Sequence, residues 1–336
     1  MVGHRSSLAG SLYEGCKREK GITVHFSSAA AGVEAWTPKP ILKVQPRAGE
    51  AYTVEADILL AADGLKSVIR DQMLKELNID AKVIDTEQAA YRIMLKREDM
   101  EKDPELLELI DTDRVIRWIG EKRHIIAYPV SNKKIYNLST TQPDKNFAEA
   151  PSATYTTKGD KSVMLGVFSD FCPKILRMLA LVPDGEVCEW KLRVHSPLPT
   201  WVNGSVGLVG DACHPTLPHL AQGAAQAIED AAVLGVVLSR CPDSSPESIN
   251  KSLRVYQMLR KERAETLVEL AAASGRALHL GDGAAKAERD KQFAALKDKK
   301  GAVPDKWASP EVQQQIYGHD CMKVAEEEFE GLFKSL

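Results

Sequence analysis

The chain has 336 residues, of which 44% are hydrophobic and 27% charged, enough apolar content to bury a core under a polar surface. Its formal net charge of −3 and pI near 6.3 argue against nucleic acid as a main partner, because phosphate binding needs an excess of Lys and Arg on one face. No apolar run reaches the ~18 residues that a membrane span needs, and the opening stretch MVGHRSSLAGSLYEGCKREKG lacks the apolar segment of a secretory signal.

In chain order, HRSSLAGSLYEGCKREKG reads as a helix, with Leu8, Leu12 and Cys16 on one face and Gly21 closing it. ITVHF (22–26) reads as a strand by its β-branched and aromatic content. ILKVQ and AYTVEA flank PRAGE and suggest a hairpin. DILLAADG (57–64) is a short apolar run closed by Asp-Gly, as in a buried strand that ends in a turn, and LKSVIRDQML continues as a helix with Ser67 near its start. From about residue 85 to 200 the segments AAYRIML, RVIRWIG, HIIAYPV, KIYNLST and SVMLGVF read as strands of a mainly antiparallel sheet, interrupted by the helix FCPKILRMLALV before CEWKLRVH. GSVGLVG (204–210) returns to a buried strand. AAQAIEDAAVLGVVLSR (224–240) is a strongly apolar helix expected to be buried. PDSSPES links it to a long amphipathic helix from Ile249 to His279, and the remainder is charged and helical. The six cysteines (Cys16, Cys172, Cys188, Cys213, Cys241, Cys321) form no C-x-x-C pair, which fits reduced thiols and a cytoplasmic location.

This order implies an α/β fold in which a nucleotide-binding domain is interrupted by a mainly antiparallel β substrate domain. The expected boundaries are 1–84 and 201–240 for the binding domain, 85–200 for the substrate domain and 241–336 for a C-terminal helical region.

The stretch GLVGDACHPTLPHLAQGAAQAIEDAA (207–232) carries the chemistry. Asp211 follows a buried strand, the place where ligands bind in open α/β sheets, and an ionised carboxylate accepts hydrogen bonds from polyol hydroxyls. Alone, such an Asp is better explained by a turn or an N-cap. Here prolines fix the loop, Gly223 permits close backbone approach, and a helix begins whose N-terminal dipole favours an anion or the electron-rich ring of a reduced flavin. Cys213, His214 and His219 could suggest a metal site, but Pro215 and Pro218 break the helix that would align the two histidines, and no H-E-x-x-H is present, so no metal is expected. Tyr91, Trp118 and Trp190 could line an aromatic pocket, though sheet core is the commoner fate of such residues.

GDACHPTLPHLAQGAAQAIEDAAVL resembles the second flavin motif of the FAD-dependent aromatic hydroxylases, the salicylate hydroxylase-like group A flavin monooxygenases. ADGLKSVIR (62–70) resembles their Asp-Gly motif, HRSSL (4–8) their His-Arg element, and AYRIMLKREDM, WIGEKRHIIAYPV, SPLPTWVNGSVGLVGDA and GDGAAKAERD further segments in the same order. The resemblance implies a partial FAD/NAD(P)-binding Rossmann-like domain, FAD as cofactor, NAD(P)H as reductant, and O2-dependent hydroxylation of an aromatic or polycyclic small molecule, as in secondary metabolism. It further implies that Asp211 holds the ribityl chain, that Gly223 and Ala224 offer backbone N–H groups to the flavin ring, and that Arg5 reaches the FAD. Asp63 and Gly64 would shape a turn near the cofactor. Arg92 would hold or activate a phenolate or carboxylate substrate, with Tyr128 in the same pocket.

The family's first βαβ unit carries G-x-G-x-x-G, and no such pattern occurs in these 336 residues. The expectation that follows is weak FAD binding or none, because the pyrophosphate lacks its helix N-terminus. The alternative to a working monooxygenase is therefore a truncated, non-catalytic remnant of the family that does not hold FAD.

Overall fold

A computed structural model describes residues 5–145, 156–298, 301 and 303–336. Helix α1 (Arg5–Arg18) comes first, followed by β1 (Ser28–Ala35), β2 (Ile41–Pro46), β3 (Tyr52–Glu55), β4 (Leu59–Ala61) and α2 (Val68–Glu76). The middle of the chain holds β5 (Val83–Lys96), α3 (Arg97–Met100), α4 (Pro104–Asp111), β6 (Ile116–Gly120), β7 (Arg123–Val130) and β8 (Ile135–Pro143). Next come β9 (Thr156–Lys158), α5 (Lys161–Val167), α6 (Pro173–Ala180), β10 (Cys188–His195), β11 (Val202–Asn203) and β12 (Val206–Leu208). The rest is helical: α7 (Gly223–Ser239), α8 (Pro246–Leu278), α9 (Ala284–Ala295), α10 (Pro310–Tyr317) and α11 (Cys321–Ser335). None of these helices is long and apolar enough to cross a membrane. The fold is α/β with mainly antiparallel sheets and C-terminal helices, and it divides into two compact units.

The first unit comprises Met1–Val24, Thr86–Leu192 and Ala277–Ala294. Its sheet has the order β6-β7-β8-β5-β10-β9. One face packs against helices: Tyr91, Ile93 and Leu95 of β5, Ile125 and Ala127 of β7, and Tyr136 and Leu138 of β8 meet apolar residues of α4, α5 and α6. The two-residue period of a strand sends Arg92 and Met94 to the opposite face. The register sets Arg92 and Ile126 opposite Ser139, and Met94 and Tyr128 opposite Asn137, so Arg92 and Tyr128 share that face.

SVMLGVF (162–168) is not the expected strand. It lies largely within α5, because Asp160 caps the helix by accepting from the N–H groups of Ser162 and Val163, and Met164 and Phe168 fall one turn apart on the buried face. ITVHF (22–26) is not a strand either. Ile22, Val24 and Phe26 are exposed, and the first strand begins at Ser28. A β-branched pentapeptide without a neighbouring strand gains nothing from its strand propensity.

The second unit comprises His25–Asp85, Arg193–Arg276 and Ala295–Leu336. It contains the meander β1-β2-β3 and the short sheet β11-β12-β4, in which β12 and β4 are parallel. Ile69 and Met73 of α2, Leu208 of β12, Val233 and Val237 of α7, Leu253 and Tyr256 of α8 and Phe329 of α11 form its core, together with the fully buried Trp201. The α7 helix is less enclosed than its composition suggests: Ala224 is exposed and Ile228 is 49% exposed, while its other side is buried.

Candidate active site

Parallel pairing of β4 with β12 brings the chain out of both strands at one edge, and the Val209 N–H donates to the Ala61 carbonyl at 2.9 Å. The segments that follow, Ala62–Gly64 and Gly210–Cys213, therefore start side by side at the carboxyl ends of parallel strands. Asp63 accepts from the Val68 N–H at 2.9 Å and the Ile69 N–H at 3.4 Å, so its carboxylate caps α2. Gly64 has φ of +81° with open space around it, and its need is conformational rather than steric. Arg70, 2% exposed, ties the two segments together: its guanidinium donates to the Leu65 carbonyl at 2.9 Å and the Ala212 carbonyl at 3.5 Å.

Gly210 (φ +62°) starts a 3-10 turn that leaves Asp211 exposed at its tip. The chain then passes the turn Pro218–Leu220 and the left-handed Ala221 before α7 begins. A Cβ on Gly223 would stand 3.3 Å from the Thr216 methyl and 4.0 Å from Asp211 Oδ1. The Asp211 carboxylate thus lies beside the N-terminus of a 17-residue helix whose N-cap, Gln222, supplies no side-chain hydrogen bond. Acceptors for hydroxyls and backbone donors for an electron-rich ring stand next to each other here, around a position where only glycine fits without displacing Thr216.

Beneath this loop lies an ionic cluster. Asp230, fully buried on α7, accepts from the Gly210 N–H at 2.9 Å and from His214 Nε2 at 2.6 Å. Its other oxygen accepts from Arg260 Nε at 2.9 Å. Arg260, also fully buried, donates to Glu229 at 2.6 Å and to Gln226 Oε1 at 2.6 Å, and Arg263 holds Glu229 through two bonds of 2.8 and 2.9 Å. Burial pushes both carboxyls up, but the guanidinium partners, and for Asp230 its bond with His214, outweigh it and leave both pKa values below normal. Cys213, His214 and Asp230 bring donor atoms within 4.8 Å of one another. Both Asp230 oxygens already accept hydrogen bonds, however, one from a guanidinium that would repel a cation. Burial also pushes the Cys213 thiol well up, so it stays protonated. The chemistry of this trio is that of a hydrogen-bonded support rather than of a metal centre. Sequence reasoning missed Asp230, Arg260 and Arg70. The available signal was polar residues at core positions: Arg260 lies in the buried series Leu253, Tyr256, Arg260, Ala264, Leu267, Ala271 along α8.

The remaining candidates fall in the first unit. Arg92 is exposed and its guanidinium lies 5.3 Å from the Trp190 ring centroid, a cation–π contact on the face opposite the helices. Trp190 is 37% exposed and so is not sheet core. Tyr128 is half-buried. Burial raises its pKa and the nearby Arg92 charge opposes the rise, so the phenol is a proton-bearing donor at neutral pH. Arg5 opens α1, but its side chain and His4 lie outside the described residues. The structure therefore gathers Asp63, Gly64, Asp211, Gly223 and Ala224 in one unit and Arg92, Tyr128 and Trp190 in the other.

The carboxyl ends of parallel strands, with acidic turns leading to a helix N-terminus, are where open α/β sheets bind ligands. Comparison with known proteins agrees: the family described as FAD binding domain matches residues 179–271. The FAD-dependent monooxygenase atnJ of Arthrinium sp is 36% identical over 246 residues, which are 73% of this chain and 56% of that protein. An FAD-dependent monooxygenase of Beauveria bassiana is 31% identical over 325 residues, covering 96% of this chain and 72% of the relative. The chain belongs to the FAD-dependent monooxygenases. It spans about half the length of some of these relatives, 56% of atnJ and 55% of its counterpart ntnJ from Nectria sp. Among solved structures, a salicylate hydroxylase substrate complex shares the fold with a TM-score of 0.76 at 23% identity, covering 96% of this chain and 74% of that one. CtdE in complex with FAD and a substrate does so with a TM-score of 0.77 at 20% identity, covering 98% and 74%.

Proposed function

We propose that this chain holds FAD through the 210–224 loop and α7, and hydroxylates an electron-rich aromatic small molecule at the expense of NAD(P)H and O2. One observation supports the reading above the others: the Asp211 carboxylate stands beside the uncapped N-terminus of α7, with Gly223 leaving the approach open. Asp211 would accept from ribityl hydroxyls. The N–H groups of Gly223 and Ala224 would donate to the pyrimidine edge of the flavin, whose extra negative charge on reduction the helix dipole favours. The bound flavin would supply the redox chemistry, taking a hydride from NAD(P)H and activating O2.

The chain's own residues would bind and orient the substrate. A guanidinium stays charged at all relevant pH, so Arg92 would pair with a phenolate or carboxylate and favour the ionised, more nucleophilic ring. Its contact with Trp190 sets an aromatic surface beside the guanidinium. Tyr128 would donate a hydrogen bond from its protonated phenol. The relatives include a hispidin-3-hydroxylase and 3-hydroxybenzoate 6-hydroxylases, the latter by name acting on a hydroxylated benzoate. They lend no support to a non-catalytic remnant.

The test is titration of the purified chain with FAD, followed by flavin fluorescence, for wild type and Asp211→Ala. NAD(P)H oxidation is then measured with a panel of phenolic acids, with mass spectrometry for products heavier by one oxygen atom. Saturable binding weakened by Asp211→Ala, together with oxygenated product, is expected. A wild-type chain that does not alter flavin fluorescence at any concentration would sink the proposal.

A further inference from the structure

The loop that carries Asp211 and Gly223 is backed on one side by α8, both directly and through Asp230 of α7. Three contacts do this, at different heights along it. Arg260 grips Asp230, and Asp230 in turn holds the Gly210 N–H and His214. Leu220 packs into a small apolar cluster with Leu267 and Ala271. His219, 1% exposed, lies so close to Gly275 that a Cβ there would stand 2.8 Å from its ring atoms. Only a glycine admits the imidazole at that point.

Of these contacts, the Arg260–Asp230 pair is the one that reaches the start of the loop. Asp230 bridges Gly210 and His214 through one oxygen and Arg260 through the other. Arg260 also spans Glu229 and Gln226, so its fork fixes α7 against α8 at the turn directly behind the candidate ring site. Arg263, one turn on, meets the same Glu229 but not Asp230. It ties α7 instead to the carbonyls of Gln315 and Ile316, at 2.9 and 3.0 Å.

We propose that Arg260 is a positioning residue for the flavin loop, acting through Asp230 and without touching the cofactor. The proposal rests on the FAD reading given above. It predicts an asymmetry between the buried Arg260 and the partly buried Arg263, which share an acidic partner: loss of Arg260 releases the 207–223 loop, whereas loss of Arg263 releases the 315–316 segment.

The experiment compares the full chain as wild type, Arg260→Met, Arg260→Lys and Arg263→Met. Backbone hydrogen exchange is followed by mass spectrometry in peptides covering 207–223 and 313–318, and FAD affinity by fluorescence titration. Arg260→Met is expected to speed exchange in 207–223 and to weaken FAD binding at least tenfold. Arg260→Lys keeps the charge but cannot reproduce the planar fork that reaches four acceptor atoms, and is expected to restore part of both, which also serves if Arg260→Met does not fold. Arg263→Met is expected to speed exchange in 313–318 and leave FAD affinity within about twofold of wild type. Equal loss of FAD affinity in Arg260→Met and Arg263→Met would overturn the proposal, as would unchanged exchange of the loop in both Arg260 variants. If the wild type itself binds no FAD, the cofactor reading fails, and the exchange comparison alone decides whether Arg260 positions the loop.

Discussion

Acidification should loosen the first unit at one defined place. His124 of β7, 3% exposed, and His279, just past α8, face each other with Nδ1 and Nε2 2.7 Å apart. Arg117 of β6 and Arg289 of α9 surround the pair with positive charge. The His279 carbonyl accepts from the Lys122 N–H at 3.0 Å, and Arg289 holds the neighbouring Leu278 carbonyl at 2.8 Å. Burial first, then the charges of Arg117 and Arg289, lower the His279 pKa from 6.5 to about 4. The sign follows directly. Above 6.5 the imidazole is neutral in folded and unfolded chains alike and costs nothing. As pH falls below 6.5 the unfolded chain takes up a proton that the folded one refuses, so stability is lost progressively down to about 4 and no further below it. At about 1.4 kcal/mol per pH unit the loss is at most about 3 kcal/mol, because the ring keeps some contact with water. For a unit of this size that is roughly 6–12 °C in melting temperature. Thermal unfolding should be compared between about pH 7 and about pH 4.5 for wild type and His279→Gln, which cannot protonate, so that other acid-sensitive groups cancel. Hydrogen exchange in the 120–126 peptide reports the local site. The wild type should lose several degrees more than the variant, with exchange at Lys122 rising first. Parallel losses in the two proteins would refute the reasoning.

Further outcomes can be measured at other positions. Gly223→Val places a branched side chain against the Thr216 methyl and Asp211, and should weaken FAD at least about tenfold, or about 1.4 kcal/mol, in a fluorescence titration while leaving the melting temperature nearly unchanged. Arg92→Gln removes a charge-assisted bond of about 1.5–3 kcal/mol and should raise KM for an anionic phenolic substrate about 10–100-fold, with FAD affinity unaffected; an unchanged KM would exclude Arg92 from substrate binding. Asp63→Ala leaves the Ser67 cap but frees the Val68 and Ile69 N–H groups at the start of α2, and should cost about 1 kcal/mol in denaturant unfolding, without change if the carboxylate serves only the cofactor. Gly204→Ala forces a side chain at φ +57° against the Trp36 carbonyl and should destabilise by more than about 2 kcal/mol, read in the same denaturant assay.

The parts of the fold that were legible in the sequence are those where a local rule and the tertiary context agree. DILLAADG and GSVGLVG are apolar runs too short for helices and closed by glycine turns, and they pair as β4 and β12. Ser67 was readable as the start of α2 because an N-cap acts within three residues, and its hydroxyl does accept from the Arg70 N–H at 2.9 Å. SVMLGVF misleads because its valines favour a strand while Asp160, just outside the segment, supplies a helix cap. The candidate site divides similarly. Asp211 and Gly223 are read from their order in one contiguous stretch. Arg260 lies 30 residues from Asp230 along the chain, and only the packing of α8 on α7 brings them together. A lone arginine in an amphipathic period looks like a surface residue until the neighbouring helix is placed.

An ion cluster below a cofactor loop needs a reason, because an apolar core of the same volume would stabilise the protein as well or better. The loop's own backbone suggests one. Gly210 and Ala221 both have positive φ, and for a residue with a Cβ such as Ala221 this costs of the order of 1–3 kcal/mol. Between them run Pro215 and Pro218, which lack N–H groups and cannot pair the segment with a neighbour. Backbone bonds within the loop form local turns, Cys213 and His214 to Gly210 and Ala221 to Pro218, and these do not orient the two turns relative to α7; apolar packing is too undirected to do so. Directional contacts can. A carboxylate that must satisfy Gly210, His214 and Arg260 at once does so in one arrangement only, and that arrangement leaves Asp211 facing outward beside the start of α7. The cluster's contribution is therefore to the uniqueness of the loop more than to global stability. Replacing Arg260 and Asp230 together by Met and Leu should accordingly leave the unfolding free energy within about 1 kcal/mol of wild type while the loop loses its exchange protection.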